Sequence, residues 1–166
     1  MPDTSSFDVT STIDFAEVDN ALNQARKEVG QRYDFKGAQA DIELKTADKT
    51  LTLITSDEMK MNALWEIIQT RLVRRGVPVK NFKVGDSEQA AGGTVRRVIE
   101  IQSGIPIEAA REIVKFLKDQ KLKKVQASIQ ADQVRVSSPS KDELQGAMRL
   151  LREHDFGIAV QFGNYR

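Results

Sequence analysis

The stretch Ala38-Gln39-Ala40-Asp41-Ile42-Glu43-Leu44-Lys45 alternates apolar and polar residues without a break. Thr46-Ala47-Asp48-Lys49 follows, and then Leu51 and Leu53 resume the alternation against Thr50 and Thr52. A period of two places one face of each segment in a core and the other in water, so the pair reads as a hairpin of half-buried strands. The pattern returns late in the chain. Val125, Ala127 and Ile129 alternate with Gln126, Ser128 and Gln130, Ala131-Asp132 turns, and Val134 and Val136 run back with Arg135 between them. A repeated hairpin argues for a doubled unit rather than one large sheet.

The flanks of both hairpins repeat as well. Before the first, Phe7, Val9 and Ile13 share a parity and read as a strand. Asp14 with Glu17 then resembles a capping box, and Phe15, Val18, Leu22, Ala25 and Val29 form a helical stripe that Gly30 would end. After it, Ser56 is expected to cap a helix with the stripe Met61, Leu64, Trp65, Ile68 and Leu72, stopped by Gly76 and Pro78. Phe82 and Val84 close the first unit. Around the second hairpin lie a strand (Val95, Ile99, Ile101), a helix opened by Pro106 (Ala110, Ile113, Val114, Leu117), a helix capped by Ser140 with Glu143, and a closing strand (Ile158, Val160, Phe162). Arg97 sits on the apolar parity of its strand and weakens that reading. The expected fold is α+β, two βαββαβ repeats over residues 6–85 and 94–164, with 86–93 as a linker.

Composition removes several functional classes. Apolar types make up 40% and charged types 30% of 166 residues, a globular balance. Twenty-five Lys and Arg against 24 Asp and Glu leave +1, which argues against a histone-like coat while allowing local basic patches. No cysteine is present, excluding thiolate metal sites and cysteine nucleophiles, and the lone His154 excludes a multi-histidine site within one chain. No apolar run approaches the roughly 20 residues that span a bilayer, and Met1 to Ser6 carries no basic-then-apolar signal. A soluble cytoplasmic protein is expected.

Several segments resemble the bacterial YajQ family: Phe7-Asp8-Val9, Glu17-Val18-Asp19-Asn20-Ala21, Arg32-Tyr33-Asp34-Phe35-Lys36-Gly37, Ala127 to Val136, and the ending Gln161-Phe162-Gly163-Asn164-Tyr165-Arg166. They run in the family's order from one end of the chain to the other. The resemblance implies tandem ferredoxin-like units whose opening strands, about residues 6–13 and 94–102, are swapped between the two sheets. It also implies nucleotide binding, with family members linked to cyclic di-GMP, GTP or tRNA.

Among candidate sites, Gln31-Arg32-Tyr33-Asp34-Phe35-Lys36-Gly37 is the richest, packing two aromatics, two cations, a carboxylate and a glycine into one helix-to-strand connection. A guanine nucleotide asks for a stacking surface, cations for phosphate and a carboxylate acceptor for the base N–H groups. The same residues also fit a packing role, with both aromatics plugging a core edge and Arg32 pairing with Asp34 in water. Gln126, Gln161 and Asn164 add neutral donors and acceptors from the second unit, whose open face is less acidic than the Asp41 and Glu43 side of the first. The expected nucleotide site is therefore Arg32, Phe35 and Lys36 with Gln126, Gln161 and Asn164.

Two basic clusters, Arg71, Arg74, Arg75, Lys80 and Lys83, and then Lys121, Lys123 and Lys124, are candidate phosphate contacts. Both also fit a solvated face, and Arg74 and Arg75 suit a helix C-terminus. Neither unit carries the paired central-strand aromatics of an RNA-recognition motif. No phosphate loop is present, Gly92-Gly93 being too short, and His154 between Glu153 and Asp155 reads as a surface histidine. The expectation is a non-catalytic guanine-nucleotide sensor, with cyclic di-GMP as the leading ligand, acting through a protein partner. It would need no cofactor, metal or membrane. An RNA or tRNA adaptor using the basic clusters is the alternative, and a structural partner without ligand is a third.

Overall fold

A computed structural model describes residues 4–166. In chain order the elements are β1 (Ser5–Thr10), α1 (Phe15–Gln31), β2 (Ala40–Lys45), β3 (Thr50–Thr55), α2 (Glu58–Arg74), β4 (Phe82–Val84), β5 (Glu88–Gln89), β6 (Val95–Ile101), α3 (Ile107–Asp119), β7 (Gln126–Gln130), β8 (Gln133–Ser138), α4 (Lys141–Glu153) and β9 (Gln161–Gly163). They form two compact α+β units, Ile13–Gln102 and Ser103–Arg166 together with the chain's opening segment through Thr12.

The unit of Ile13–Gln102 carries the sheet β2-β3-β6-β4, all antiparallel, with β5 also on β6. Its inward residues Leu51, Leu53, Val95, Ile99 and Ile101 meet Val18, Leu22 and Ala25 of α1 and Met61, Leu64, Ile68 and Leu72 of α2 in one buried cluster. The opposite face carries Asp41 and Glu43, as the alternation requires.

Helix ends separate the two long helices. Asp14 accepts from the backbone N–H of Ala16 and Glu17 at the start of α1. Gly30 does not stop that helix. It stays inside α1, and the chain leaves through Arg32 in extended conformation, with no left-handed residue at that end. Gly76 does end α2. At φ +74° its N–H reaches the Val73 carbonyl while the Val77 N–H reaches that of Leu72, the paired bonds of a Schellman motif. The N-cap of α2 is Asp57, not Ser56. Its carboxylate accepts from the Lys60 N–H at 2.8 Å, one residue closer to the helix than the hydroxyl.

The other unit carries the sheet β7-β8-β1-β9. β1 pairs antiparallel with β8 (Phe7 opposite Val136) and with β9 (Val9 opposite Phe162). Its core gathers Phe7, Val9, Val134 and Val136 against Ala110, Ile113 and Leu117 of α3 and Leu144, Met148 and Leu151 of α4. Ser140 caps α4 by accepting from the Glu143 N–H.

Other departures from the sequence reading are local. Ile13 shares parity with Phe7 and Val9 but lies past β1, buried in the cluster of α1 and α2. Ile158 is buried ahead of β9 rather than in it. Residues 86–93 hold β5 and a short 3-10 turn, because Glu88 and Gln89 find open backbone groups on β6 opposite Arg96 and Val95. Arg97 keeps the inward parity its position dictates. Its side chain is only 13% exposed, and its guanidinium donates to Glu58 at 3.0 Å.

Candidate nucleotide site

Where α1 ends, Arg32 takes φ −81° and ψ 133°, and Tyr33–Phe35 form one 3-10 turn closed by the Lys36 N–H on the Tyr33 carbonyl. Gly37, at φ +77°, redirects the chain toward β2. At three residues per turn, Tyr33 and Phe35 project about 120° apart, so both rings cannot face the core. Phe35 is 4% exposed and belongs to the core, whereas Tyr33 is 88% exposed. Phe35 is therefore the packing aromatic, and the ring surface open to a ligand is that of Tyr33.

A cleft of about 570 Å³ opens here, bordered by Arg26, Gln31, Arg32, Tyr33, Phe35 and Lys36 among others. Its charged lining is cationic throughout: Arg26, Arg32 and Lys36, without a carboxylate. Arg26 is anchored, donating to Asn23 at 2.8 Å and to the Ile42 carbonyl on β2 at 2.7 Å. Arg32 grips Asp34 with a two-point fork at 3.0 and 2.9 Å, stands 3.6 Å from Glu28, and lies over the Phe35 ring with its carbon 5.9 Å from the centroid. The Arg32 hydrogen bonds hold the Asp34 carboxyl below the usual carboxylate range, and Asp34 in turn raises Arg32 above the ordinary arginine value. Asp34 does not line the cleft, so the acceptor expected for guanine is turned to Arg32 instead.

Gln126, Gln161 and Asn164 belong to the other unit and do not line this cleft. Gln126 is exposed on β7. The Gln161 amide is tied to the Thr12 backbone, its oxygen accepting from the N–H at 3.1 Å and its nitrogen donating to the carbonyl at 3.2 Å. Asn164 donates to the Asp8 carboxylate at 2.6 Å, and Arg135 donates to the same group from β8 at 3.0 Å. Those two hydrogen bonds, Arg135 first, hold the nearly buried Asp8 below the ordinary carboxylate range.

The cluster from Arg71 to Lys83 is not a uniform phosphate surface. Arg71 donates to Glu28 at 2.8 Å and Arg75 to Glu17 at 3.4 Å, so two of its cations join α2 to α1. Arg74 is exposed at the end of α2, Lys80 lies in the short turn ahead of β4, and Lys83 is the exposed middle residue of β4. Lys121, Lys123 and Lys124 are exposed in the loop from α3 to β7. His154 stacks on Phe116 at 4.4 Å between centroids and lies 3.8 Å from Glu112. Among the described residues no helix is long and apolar enough to cross a membrane, and no group of three His, Cys, Asp or Glu could hold a metal ion.

Three residues of consequence were not picked out as site residues from the sequence. Arg26 looked like any polar-face helix residue, and its link to β2 depends on a tertiary approach. Tyr33 was visible, but its exposure follows from the 3-10 turn. Asp8 sits on the polar parity of β1, where nothing local announces two long-range partners.

Taken together, these features describe two α+β units, one of which carries a cleft lined by Arg26, Arg32 and Lys36 beside an exposed tyrosine. Comparison with known proteins is more particular. The model of a family described as nucleotide-binding protein YajQ-like matches residues 5–166. A nucleotide-binding protein of Solibacter usitatus is 52% identical over 166 residues, covering 100% of this chain and 99% of the relative. Nucleotide-binding proteins of Elusimicrobium minutum and Acidithiobacillus ferrooxidans are 46% and 48% identical over 161 residues, each covering 97% of this chain and 98% of the relative. The chain belongs to the YajQ-like family, whose members carry the name of nucleotide-binding proteins rather than of enzymes.

Proposed function

We propose that the cleft at the end of α1 is where this chain binds a nucleotide, and that the ligand is a guanine nucleotide such as cyclic di-GMP. The observation that carries the reading is a cleft whose charged lining is wholly cationic, with an exposed tyrosine ring on its rim. Lys36 and Arg32 suit phosphate, and Tyr33 suits the base. The last carbonyls of a helix lack intrahelical partners, so the end of α1, where Gly30 and Gln31 line the cleft, supplies acceptors for base N–H groups. The protein acts as a sensor through a partner rather than as a catalyst, since the lining holds no carboxylate or histidine to activate water.

The architecture is read as two ferredoxin-like repeats with exchanged opening strands. Support comes from β1 pairing with β8 and β9, and from β6 pairing with β3 and β4.

Calorimetric titration with GTP, cyclic di-GMP and tRNA at two salt concentrations tests the function. Saturable binding of one guanine nucleotide with a shallow salt dependence is expected, together with no phosphate release from GTP above a blank. Lys36→Ala should weaken binding by about 1–3 kcal/mol, the range for a hydrogen bond to a charged group, and leave the melting temperature unchanged. Binding of tRNA alone, collapsing steeply with salt, would replace the sensor with an RNA adaptor. Wild-type affinity in Lys36→Ala would move the site elsewhere.

A further inference from the structure

The loop between α3 and β7 has an unusual construction. Leu122 and Val125 pack against the core of their unit, which leaves Lys121, Lys123 and Lys124 pointing outward. Lys121 and Lys124 both adopt left-handed backbone, at φ 54° and 60°. Glycine takes that conformation without strain and lysine does not, a cost that Lys49, Ala131 and Asn164 bear as well. Among the described residues, no carboxylate pairs with these lysines, in contrast to Arg71 and Arg75.

Beneath Lys124 lies a pocket of about 280 Å³ bordered by Thr4, Lys124, Gln126, Ser137, Ser138 and Pro139. Gln126 and Ser137 are register partners across β7 and β8, so amide and hydroxyl rise from the same sheet face side by side. Among the described residues the lining combines one ammonium, one amide and hydroxyl donors, with no carboxylate and no aromatic ring on which a base could stack. The volume suits a phosphate with a sugar-sized body and is half that of the cleft at α1.

We propose that this pocket is a second binding site, separate from the nucleotide cleft, which takes a small phosphomonoester through Lys124, Gln126 and Ser137. The ligand is recognised by its phosphate dianion, held by charge-assisted hydrogen bonds. Its organic part contributes little, because only Pro139 and side-chain stems face it.

The test is a titration followed by amide chemical shifts at constant ionic strength, with ribose 5-phosphate as probe and ribose as control. Ribose 5-phosphate should give saturable shifts at Lys124, Gln126 and Ser137, and ribose none. Lys124→Gly should weaken the binding at least about fivefold while raising the melting temperature, since glycine relieves the backbone strain and removes the charge. Ser137→Ala should weaken it with no gain in stability. Lys36→Ala should leave it unchanged. The proposal fails if the shifts rise linearly without saturating, or if Lys124→Gly and Ser137→Ala both keep wild-type affinity. Loss of binding in Lys36→Ala would place the phosphate in the α1 cleft instead. Response to an RNA oligonucleotide but not to ribose 5-phosphate would also overturn it.

Discussion

At the scale of single residues, the most consequential polar group is Asp8, which the alternation of β1 marks only as outward-facing. It is 4% exposed, yet its carboxylate accepts from Arg135 and Asn164, 127 and 156 residues away. A carboxylate so enclosed is tolerable because both partners are donors. Asp8→Ala should cost about 1–3 kcal/mol by removing two hydrogen bonds to a charged group, since the partly exposed Arg135 and exposed Asn164 can turn to water. The pH dependence has a definite sign. With its folded pKa lowered from 3.8 by Arg135 and then Asn164, Asp8 contributes stability that is full above that unfolded value and fades as pH falls through the folded one. Denaturant unfolding between pH 7 and pH 2 should therefore show the gap between wild type and Asp8→Asn closing in acid. A constant gap would mean the carboxylate charge is not what stabilises. The cleft's lining was partly legible at this scale. Arg32 and Lys36 could be picked from residue type alone, but which of the two rings stays exposed could not. A turn of three residues decides which of Tyr33 and Phe35 is buried, and neither period of sequence describes such a turn.

At the scale of elements, periodicity located the four α-helices and the long strands of the described residues, because packing one face against a sheet requires the repeat it reads. It misplaced ends where several residues compete for one role. Ser56 and Asp57 are both good caps, and the choice falls to the one whose side chain reaches the Lys60 N–H. Gly30 and Gly76 are both good stops, and only Gly76 adopts positive φ. The basic run from Arg71 shows a deeper limit. Within the sequence it has no acidic neighbour, but folding brings Glu28 and Glu17 of α1 to Arg71 and Arg75. Such half-exposed pairs are worth about 0.2–1 kcal/mol. Arg71→Ala should thus lower the melting temperature slightly, with a coupling to Glu28→Ala of that size in a double-mutant cycle. It should leave nucleotide affinity intact. An affinity loss matching that of Lys36→Ala would return the cluster to the binding surface.

At the scale of the whole molecule, the doubled pattern was readable, and the neighbour each strand chooses was not. Alternation fixes which face of a strand is buried but says nothing of its partner. Only the family resemblance suggested that the first strand of each repeat serves the other sheet. The pairings give this idea a direct test. A cut between Gly92 and Gly93 yields an N-terminal piece with β2, β3 and β4 but without β6, the strand that bridges β3 and β4. The C-terminal piece keeps β7, β8 and β9 but lacks β1, which bridges β8 and β9. Each piece loses a central strand and its fully buried side chains, Ile99 from one core and Phe7 with Val9 from the other. Removing one buried Phe already costs about 3–5 kcal/mol against a typical domain stability of about 5–15 kcal/mol. The open ladders would also expose unpaired backbone on both sides of the gap. Neither piece alone should therefore unfold cooperatively in a thermal melt followed by circular dichroism. Equimolar mixing should restore a cooperative transition, because each piece carries the strand the other lacks. Sharp, independent transitions from the separated pieces would show that each repeat can complete its own sheet, and the exchange of opening strands would then be wrong.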